Sequence, residues 1–456
     1  MPKAYSEDGY IASHTYTTGF YKEQTPAFLH YALLSGGLGP RLPAAFSSSE
    51  AFASCDIGCG FGLTPIIAAA VDPTADIWGF DFNAEHISGA KALAQAANVP
   101  NVTLLDASFE TFLDHDTPDF DLITLHGIYS WVSDESRQQI IKILHKRLKP
   151  GGVVYLSYNG LTGWASAAPM RQFFYDYTNL TDSDPFAGAS NAAAMVNGMR
   201  AAGAAFFGVN PQAGRLLDKA LQTDARYMVH EYLNGNWSLF SLVQVADELA
   251  SAGLSYAGSA DLTHAFDVFH MTPEAQAMLG SIPNPLLRES ARDFFMNPLL
   301  RKDIFVKDPP LTTSDRQTEA LMDQRFCAMK LAGQLPQHFN FPRGGVSLTA
   351  DAHAAIKTAL SKGPASARTI VDNSGVELKS VLNGLKLLAN VGFVAPALPE
   401  AMTAEGQQHT DRFNAALAEY EKGSGERVPF YASPITGGGI SREADAALLK
   451  AFGVRV

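Results

Sequence analysis

The chain has 456 residues, of which 46% are hydrophobic and 18% are charged, and this composition is typical of a globular protein with two or three domains. Its formal net charge of -12 at pH 7 excludes a general role on nucleic acid or anionic lipid, because both partners would be repelled. Its three cysteines lack a disulfide spacing pattern, which favours a reducing compartment and predicts a cytoplasmic protein.

Residues 1–50 are predicted to form an N-terminal flap and a helix. They contain no apolar signal core, and no run in the chain approaches the roughly 20 apolar residues that span a bilayer. The helix is predicted to open at Pro26 and to run through Leu34. Tyr16 and Tyr21 precede it, and two interpretations are open: they face a bound cation, which an aromatic ring attracts by about 0.5–2 kcal/mol, or they only anchor the segment.

Residues 51–160 alternate between strand and helix patterns, which predicts a mainly parallel sheet with helices on both faces. The first strand ends at Asp56, and Gly58, Gly60 and Gly62 follow before the next helix. Without Cβ atoms this turn can approach a ligand closely. The helix N-terminus after it presents free N–H groups to an anionic group such as a carboxylate.

Two further acids end the next strand patterns, Asp81 the second and Asp106 the third. A carboxylate at Asp81 can accept both hydroxyls of a ribose, and Asp106 is expected near an adenine amino group. The pattern suits a nucleoside that carries an amino acid rather than a pyrophosphate. Cys55 and Cys59 flank the turn without a second pair or nearby histidines, so we interpret them as packing residues and expect no metal.

At these residues the chain resembles the class I S-adenosylmethionine-dependent methyltransferases. The resemblance continues through residues 120–126 and 148–156, which are similar to the fourth strand and to the turn and fifth strand of that family. It implies a Rossmann-like α/β fold and S-adenosyl-L-methionine as cofactor; a related fold using its glycines only for packing is the disfavoured alternative. The cofactor-binding residues implied are Asp56, Gly58, Gly60, Gly62, Asp81, Phe82, Asp106, Ala107 and His126.

Ligands of such sheets bind at the carboxyl ends of the strands, so the residues after the fourth and fifth strands are candidates for catalysis. His126 is either a proton acceptor or an orienting hydrogen-bond partner, with the second role favoured. Tyr129 and Trp131 either shape a channel or simply pack, and Asn159 is expected to hold the substrate. The predicted catalytic residues are Tyr16, Tyr21, His126, Tyr129, Trp131 and Asn159.

Residues 161–226 are rich in Ala, Met and Phe at helical spacing, which predicts an inserted helical cap. His230 and Glu231 follow and serve either acid–base chemistry or the fixing of the cap. Residues 227–310 are predicted to add late core elements and a regulatory-domain-like segment. The sixth strand is predicted over residues 254–258, and the seventh is delayed until residues 303–307.

Four segments are similar to bacterial methyltransferases that carry a methyltransferase regulatory domain, namely residues 16–21, 125–132, 157–159 and 230–233. Some of those relatives are protein lysine methyltransferases that act on bacterial surface proteins. That family leads us to expect an arginine-rich stretch at residues 293–302, but this chain has a different sequence there. The difference weakens the inference of the substrate class more than the inference of methyl transfer.

Residues 311–456 are predicted to form a winged-helix-like interaction module. Its three helices are predicted over residues 352–360, 365–372 and 376–388. Winged helices often bind DNA, but the third helix offers Lys379 and Lys386 without a basic stripe, so an interaction or substrate-docking role is favoured. The tail around residues 432–439 is predicted to be rich in loops.

The leading hypothesis is an enzyme that methylates a protein side chain, with lysine as the favoured acceptor. A lysine amine must be deprotonated to react, and an apolar aromatic channel favours this by lowering its pKa. The alternatives are methylation of a small molecule at oxygen or nitrogen, and a cofactor-binding scaffold that acts through its C-terminal module. The expected partner is thus a protein or small-molecule methyl acceptor.

Overall fold

A seven-stranded sheet forms the centre of the computed structural model, which describes residues 19–36, 52–181, 184–223, 225–308, 314–341 and 344–455. The strands are β1 Ala53–Ile57, β2 Asp76–Asp81, β3 Val102–Asp106, β4 Phe120–Leu125, β5 Leu148–Asn159, β6 Leu254–Ser259 and β7 Leu300–Lys307. Their order is β3-β2-β1-β4-β5-β7-β6. The first five are parallel, and β7 is antiparallel to both of its neighbours. The carboxyl ends of β1 to β5 therefore share one edge.

Within the described residues, five α-helices precede or connect these parallel strands. They are α1 Pro26–Gly36, α2 Leu63–Val71, α3 Ala84–Ala96, α4 Phe109–Phe112 and α5 Asp134–Arg147. Side-chain caps fix two of the starts: Asn83 accepts hydrogen bonds from the first turn of α3, and Ser133 accepts one from Ser136 in α5. Because helices cover both faces of the sheet, β1 and β4 are almost wholly buried, which explains why most of their residues are apolar.

Six helices follow β5 and form a cap with its own hydrophobic core. They are α6 Leu161–Ala165, α7 Ala168–Leu180, α8 Pro185–Ala201, α9 Ala205–Val209, α10 Pro211–Gln222 and α11 Ala225–Tyr232. The boundary predicted between residues 226 and 227 falls inside α11. Since Met228, Val229 and Tyr232 pack in the core of the cap, we place the end of the cap after α11.

The delayed seventh strand is present and is longer than predicted, because it begins at Leu300. Between the cap and β7 lie α12 Leu242–Ala250, α13 Asp267–His270, α14 Pro273–Gly280 and α15 Pro285–Met296. A buried ion cluster ties this segment to the sheet. The Arg301 guanidinium donates to both carboxylate oxygens of Asp303 at 2.8 and 2.9 Å and also to Asp293 of α15, while the Tyr158 hydroxyl of β5 donates to Asp303. The side chains of Arg301 and Asp303 are 0% exposed.

The part of the C-terminal region that the structure describes forms six α-helices and seven short strands. The helices are α16 Ser314–Asp323, α17 Ala350–Leu360, α18 Ala367–Ser374, α19 Leu378–Asn390, α20 Glu400–Ser424 and α21 Ala446–Ala451. The strands are β8 Arg325–Ala328, β9 His338–Phe341, β10 Gly344–Ser347, β11 Ala365–Ser366, β12 Val394–Ala397, β13 Phe430–Ser433 and β14 Gly438–Ser441.

The three helices predicted for the winged-helix-like part correspond to α17, α18 and α19. Residues 365–366 form the short strand β11 rather than the start of a helix, because they pair with β8. In the resulting sheet β8 lies between β11 and β12, so one strand comes from upstream of the helices rather than from a hairpin after β12. The winged-helix assignment stays a prediction.

Residues 432–439, which were predicted to be rich in loops, belong to the hairpin of β13 and β14, with a turn at residues 434–437 between the two strands. The long helix α20, of 25 residues, precedes this hairpin. Its Phe413 and Leu417 are buried in the same hydrophobic cluster as Ile66 and Ile67 of α2. A Cβ at Gly406 would lie 2.3 Å from the Val71 carbonyl oxygen, which shows how closely α20 approaches α2. Residues 311–456 are therefore not one separate module, since their later part packs on the central sheet layer.

Candidate active site

The glycine turn after β1 adopts the backbone that only glycine takes easily. Gly58, Gly60 and Gly62 have φ values of 70°, 54° and 65°. A Cβ at Gly58 would lie 2.4 Å from Ile128 Cδ1, whereas a Cβ at Gly60 would meet no atom of the described residues within 4 Å. Gly60 therefore borders open space at the sheet edge, where a ligand can approach the backbone.

Asp81 closes this turn from the end of β2. Its Oδ2 accepts the Gly60 N–H at 3.0 Å, and its Oδ1 accepts the Asn83 N–H at 2.9 Å. The residue is 8% exposed. Each oxygen retains a further lone pair, so the carboxylate can hold the turn and accept ligand hydroxyls together.

Phe82, Asp106 and Ala107 lie beside Asp81 at the same edge. Asp81 and Asp106 are direct neighbours in the pairing of β2 with β3, and the Ala107 N–H donates to the Asp81 carbonyl at 3.1 Å. Asp106 is exposed, Ala107 is buried and Phe82 is 45% exposed. An exposed phenylalanine ring next to two acids suits a nucleoside, whose base packs on a ring while its polar groups bond to carboxylates.

Asp56 is buried behind the turn and has two donors that lie far from it in the sequence. Its Oδ1 accepts hydrogen bonds from Gln24 Nε2 at 2.6 Å and from Thr124 Oγ1 at 2.7 Å. Burial raises the pKa of Asp56 to about 7 in spite of these hydrogen bonds. Gln24 was not predicted, since nothing in its local sequence indicates a contact with β1.

We expect the raised pKa of Asp56 to make the cofactor-free protein less stable as pH rises. Between about pH 4 and pH 7 the folded state keeps a proton that the unfolded state has lost, so the free energy of unfolding falls by up to about 1.4 kcal/mol per pH unit. Above pH 7 the loss stays constant. Urea unfolding across this range should show the slope in the wild type and a smaller one in Asp56→Asn; equal slopes would contradict the assignment.

His126 lies at the end of β4 between two tyrosines. Its Nδ1 is 2.8 Å from the Tyr155 hydroxyl, and its ring stacks on Tyr21 with 3.8 Å between centroids. Burial, assisted by the charge of Lys302, lowers the pKa of His126 to about 4. The imidazole is therefore neutral at pH 7. Tyr155 was not predicted, because it lies within the apolar run of β5.

An ion pair that was also not predicted borders this cluster. Lys302 Nζ lies 2.8 Å from Glu23 Oε1, and the two side chains are 27% and 12% exposed. Burial opposes ionisation of Glu23, but the charge and hydrogen bond of Lys302 hold its pKa below the ordinary value. Lys302 pairs with Ser157 in the sheet, and Ser157 Oγ accepts the Gly127 N–H at 2.8 Å.

Tyr129 does not line this cluster, so the predicted channel role is corrected to packing. Its ring is 0% exposed, its hydroxyl donates to Glu248 of α12, and the Arg137 guanidinium lies 5.8 Å from the ring centroid. Trp131, two residues later, is partly buried in the same loop. Tyr16 lies outside the described residues.

Asn159 ends β5 and is 3% exposed. Its main-chain N–H donates to Ser130 Oγ at 2.8 Å, whereas its Nδ2 is buried and has no hydrogen-bond partner within the described part of the chain.

His230 and Glu231 lie on α11 in the cap, where burial raises the pKa of Glu231 to about 7.

Within the described residues, no group of three or more His, Cys, Asp or Glu side chains is arranged to hold a metal ion. In the same ranges, none of the helices has the length and apolar character needed to cross a membrane.

Two family models match the chain. A model described as a methyltransferase domain matches residues 55–152, which run from within β1 into the start of β5 and contain the glycine turn. A model described as a predicted methyltransferase regulatory domain matches residues 224–307, from α11 to β7.

Relatives and solved structures extend the match along the chain. The Synechocystis protein sll1526 is 34% identical over 438 residues, which is 95% of this chain and 85% of that protein. PKMT2 from Rickettsia typhi is 22% identical in its complex with AdoHcy, with a TM-score of 0.65 over 84% of this chain and 77% of PKMT2. Another structure of PKMT2 gives a TM-score of 0.67 at 20% identity over 96% and 88% of the two chains.

The glycine turn, the acids at the strand ends and these matches define an S-adenosylmethionine-dependent methyltransferase with a Rossmann-like α/β fold. Its cofactor is S-adenosyl-L-methionine. The chain belongs to the class I methyltransferases that carry a methyltransferase regulatory domain.

Proposed function

We propose that this methyltransferase transfers methyl groups to lysine side chains of proteins. The observation that carries the proposal is the cluster beside the end of β4, where a neutral His126 contacts two tyrosines next to the carboxylate of Glu23. Aromatic rings with one carboxylate suit an alkylammonium group. The sequence resemblance to a family that includes protein lysine methyltransferases supports the same acceptor.

We propose that the cofactor lies over the glycine turn, with its ribose on Asp81 and its base between Phe82 and Asp106. The open space at Gly60 and the spare lone pairs of Asp81 fit this group. When bound, S-adenosylmethionine supplies an electrophilic methyl group on a sulfonium. Asp56 supports the turn through its contacts behind β1 rather than through direct contact.

We propose that His126 orients its neighbours rather than accepting a proton. Tyr155 keeps its hydroxyl proton because burial raises its pKa well above the ordinary value, so it can donate to His126 Nδ1. The imidazole then carries its proton on Nε2 and holds the Tyr21 ring in place by stacking. The Tyr21 hydroxyl also stays protonated, since burial and the nearby charges of Asp56 and Glu23 raise its pKa.

Methyl transfer requires the acceptor nitrogen to be aligned for in-line attack, and alignment supplies much of the acceleration in such reactions. Among the described residues, the Asn159 side-chain amide N–H at the end of β5 has no acceptor, and we propose that it donates to a carbonyl oxygen of the acceptor substrate. The cap above it would then cover the acceptor and exclude water.

The test uses S-adenosylmethionine labelled in its methyl group, the purified protein and a bacterial lysate. We expect label in protein bands and, after hydrolysis, in methylated lysine. Label only in small molecules would favour a metabolite acceptor, and no label above a no-enzyme control would favour a scaffold. Both results would contradict the proposal.

We also propose a cytoplasmic location. All three cysteines are free thiols, as expected in a reducing compartment.

A further inference from the structure

Residues 19–25 lie across the edge of the sheet, and we call this segment the strap. Tyr21 of the strap stacks on His126, and Gln24 donates to Asp56. Glu23 lies between these two residues in a single helical turn. Its carboxylate is therefore held at the candidate site by contacts on both sides.

The surroundings of Glu23 form a site for an ammonium group. The side chain of Glu23 is 12% exposed, and its Oε1 accepts a 2.8 Å hydrogen bond from Lys302 Nζ. A carboxylate this buried needs a cationic partner, since leaving it unpaired is costly. Lys302 is more exposed, and its flexible stem lets its ammonium move into water. A second ammonium could then replace Lys302 with little change in charge.

We propose that Glu23 binds the ammonium of the acceptor lysine and that Lys302 occupies this position when no acceptor is bound. The inference rests on the proposed lysine methyltransferase activity. Lys302 is on β7 and pairs with Ser157 of β5, whose hydroxyl oxygen accepts a hydrogen bond from the Gly127 N–H. The Lys302 ammonium therefore already lies at the edge of the sheet where the acceptor lysine is expected.

The exchange also accounts for the proton that lysine must lose before its nitrogen can attack. Lys302 stabilises the charge on Glu23, whereas burial opposes it. Once Lys302 has left, transfer of one proton from the bound ammonium to Glu23 makes both groups neutral, as a dry site favours. The amine nitrogen then forms a bond to the methyl carbon as the sulfur–methyl bond breaks. The proton leaves Glu23 for water when the product departs.

The experiment measures steady-state kinetics with the protein that takes up most label from the lysate. We expect Glu23→Gln to raise KM for this acceptor at least tenfold, and Glu23→Asp to restore part of the loss. Lys302→Met should not raise KM, because it removes only the competing cation. Calorimetry with AdoHcy serves as the control and should be nearly unchanged in all variants, and circular dichroism should show that each variant is folded. Lys302→Met should also lower the unfolding temperature, because it leaves the buried Glu23 carboxylate without its cation.

Two outcomes would overturn the inference alone. One is an unchanged KM in Glu23→Gln. The other is an equal rise of KM in Glu23→Gln and Lys302→Met, which would show that the ion pair only fastens the strap. A wild-type protein that forms no methylated lysine would instead overturn the proposed function, and the inference with it.

Discussion

Replacing Arg301 by methionine is expected to lower the free energy of unfolding by about 3–5 kcal/mol, the usual cost of removing one partner of a buried ion pair. The guanidinium is 0% exposed and bonds to Asp293 and Asp303. Methionine fills part of the space but leaves two buried carboxylates without a cation. The change should appear as a lower midpoint in urea unfolding monitored by circular dichroism.

Arg368→Met is the matched control. Arg368 also pairs with two carboxylates, those of Glu319 and Asp323, each at 2.6 Å. Its side chain is 38% exposed, and its partners are more exposed still, so water replaces the lost contacts and the expected loss is much smaller than in Arg301→Met. Similar losses in the two variants would show that the contribution of the Arg301 cluster to the free energy of unfolding does not depend on its burial.

Replacing Asp81 by alanine is expected to weaken binding of AdoHcy about 10- to 100-fold. The variant leaves ligand hydroxyls without their acceptor, which costs about 1–3 kcal/mol, and a tenfold loss corresponds to about 1.4 kcal/mol. It also removes the acceptor of the Gly60 N–H, which loosens the turn under the ligand. Isothermal titration calorimetry measures the loss directly.

Asp76→Ala controls for the loss of a carboxylate from the same strand. Asp76 begins β2, at the edge opposite Asp81, and accepts a 2.8 Å hydrogen bond from Trp78 Nε1. Its replacement should leave AdoHcy affinity within about twofold of the wild type. Normal binding by a folded Asp81→Ala protein would mean that the ribose lies elsewhere.

The central fold could be predicted because its signals are local. The apolar run that ends at Asp56, the three glycines after it and the next helix are contiguous in sequence. The structure confirms each of these elements, including the turn. The delayed seventh strand could also be predicted, because residues 303–307 supply the strand pattern that the fold requires after the sixth strand. In the structure, β7 lies between β5 and β6.

The partners within the site could not be predicted, because they are distant in sequence. Gln24 lies 32 residues from Asp56, and Lys302 lies 279 residues from Glu23. No periodicity links such pairs, since the fold alone brings them together. Tyr129 shows the reverse error: its position after a strand end suggested a channel, but its side chain points into the core.

The packing of Phe20 joins the two ends of the described chain. A Cβ at Gly438 or Gly439 would lie 2.6 or 2.7 Å from the Phe20 ring, and Phe430 lies 5.7 Å from the same ring by centroid. The hairpin of β13 and β14 thus forms the surface on which the strap begins. During translation, Phe20 cannot pack on this hairpin until the ribosome has passed residue 439. The part of the candidate site that contains the strap can therefore form only after most of the chain has been synthesised.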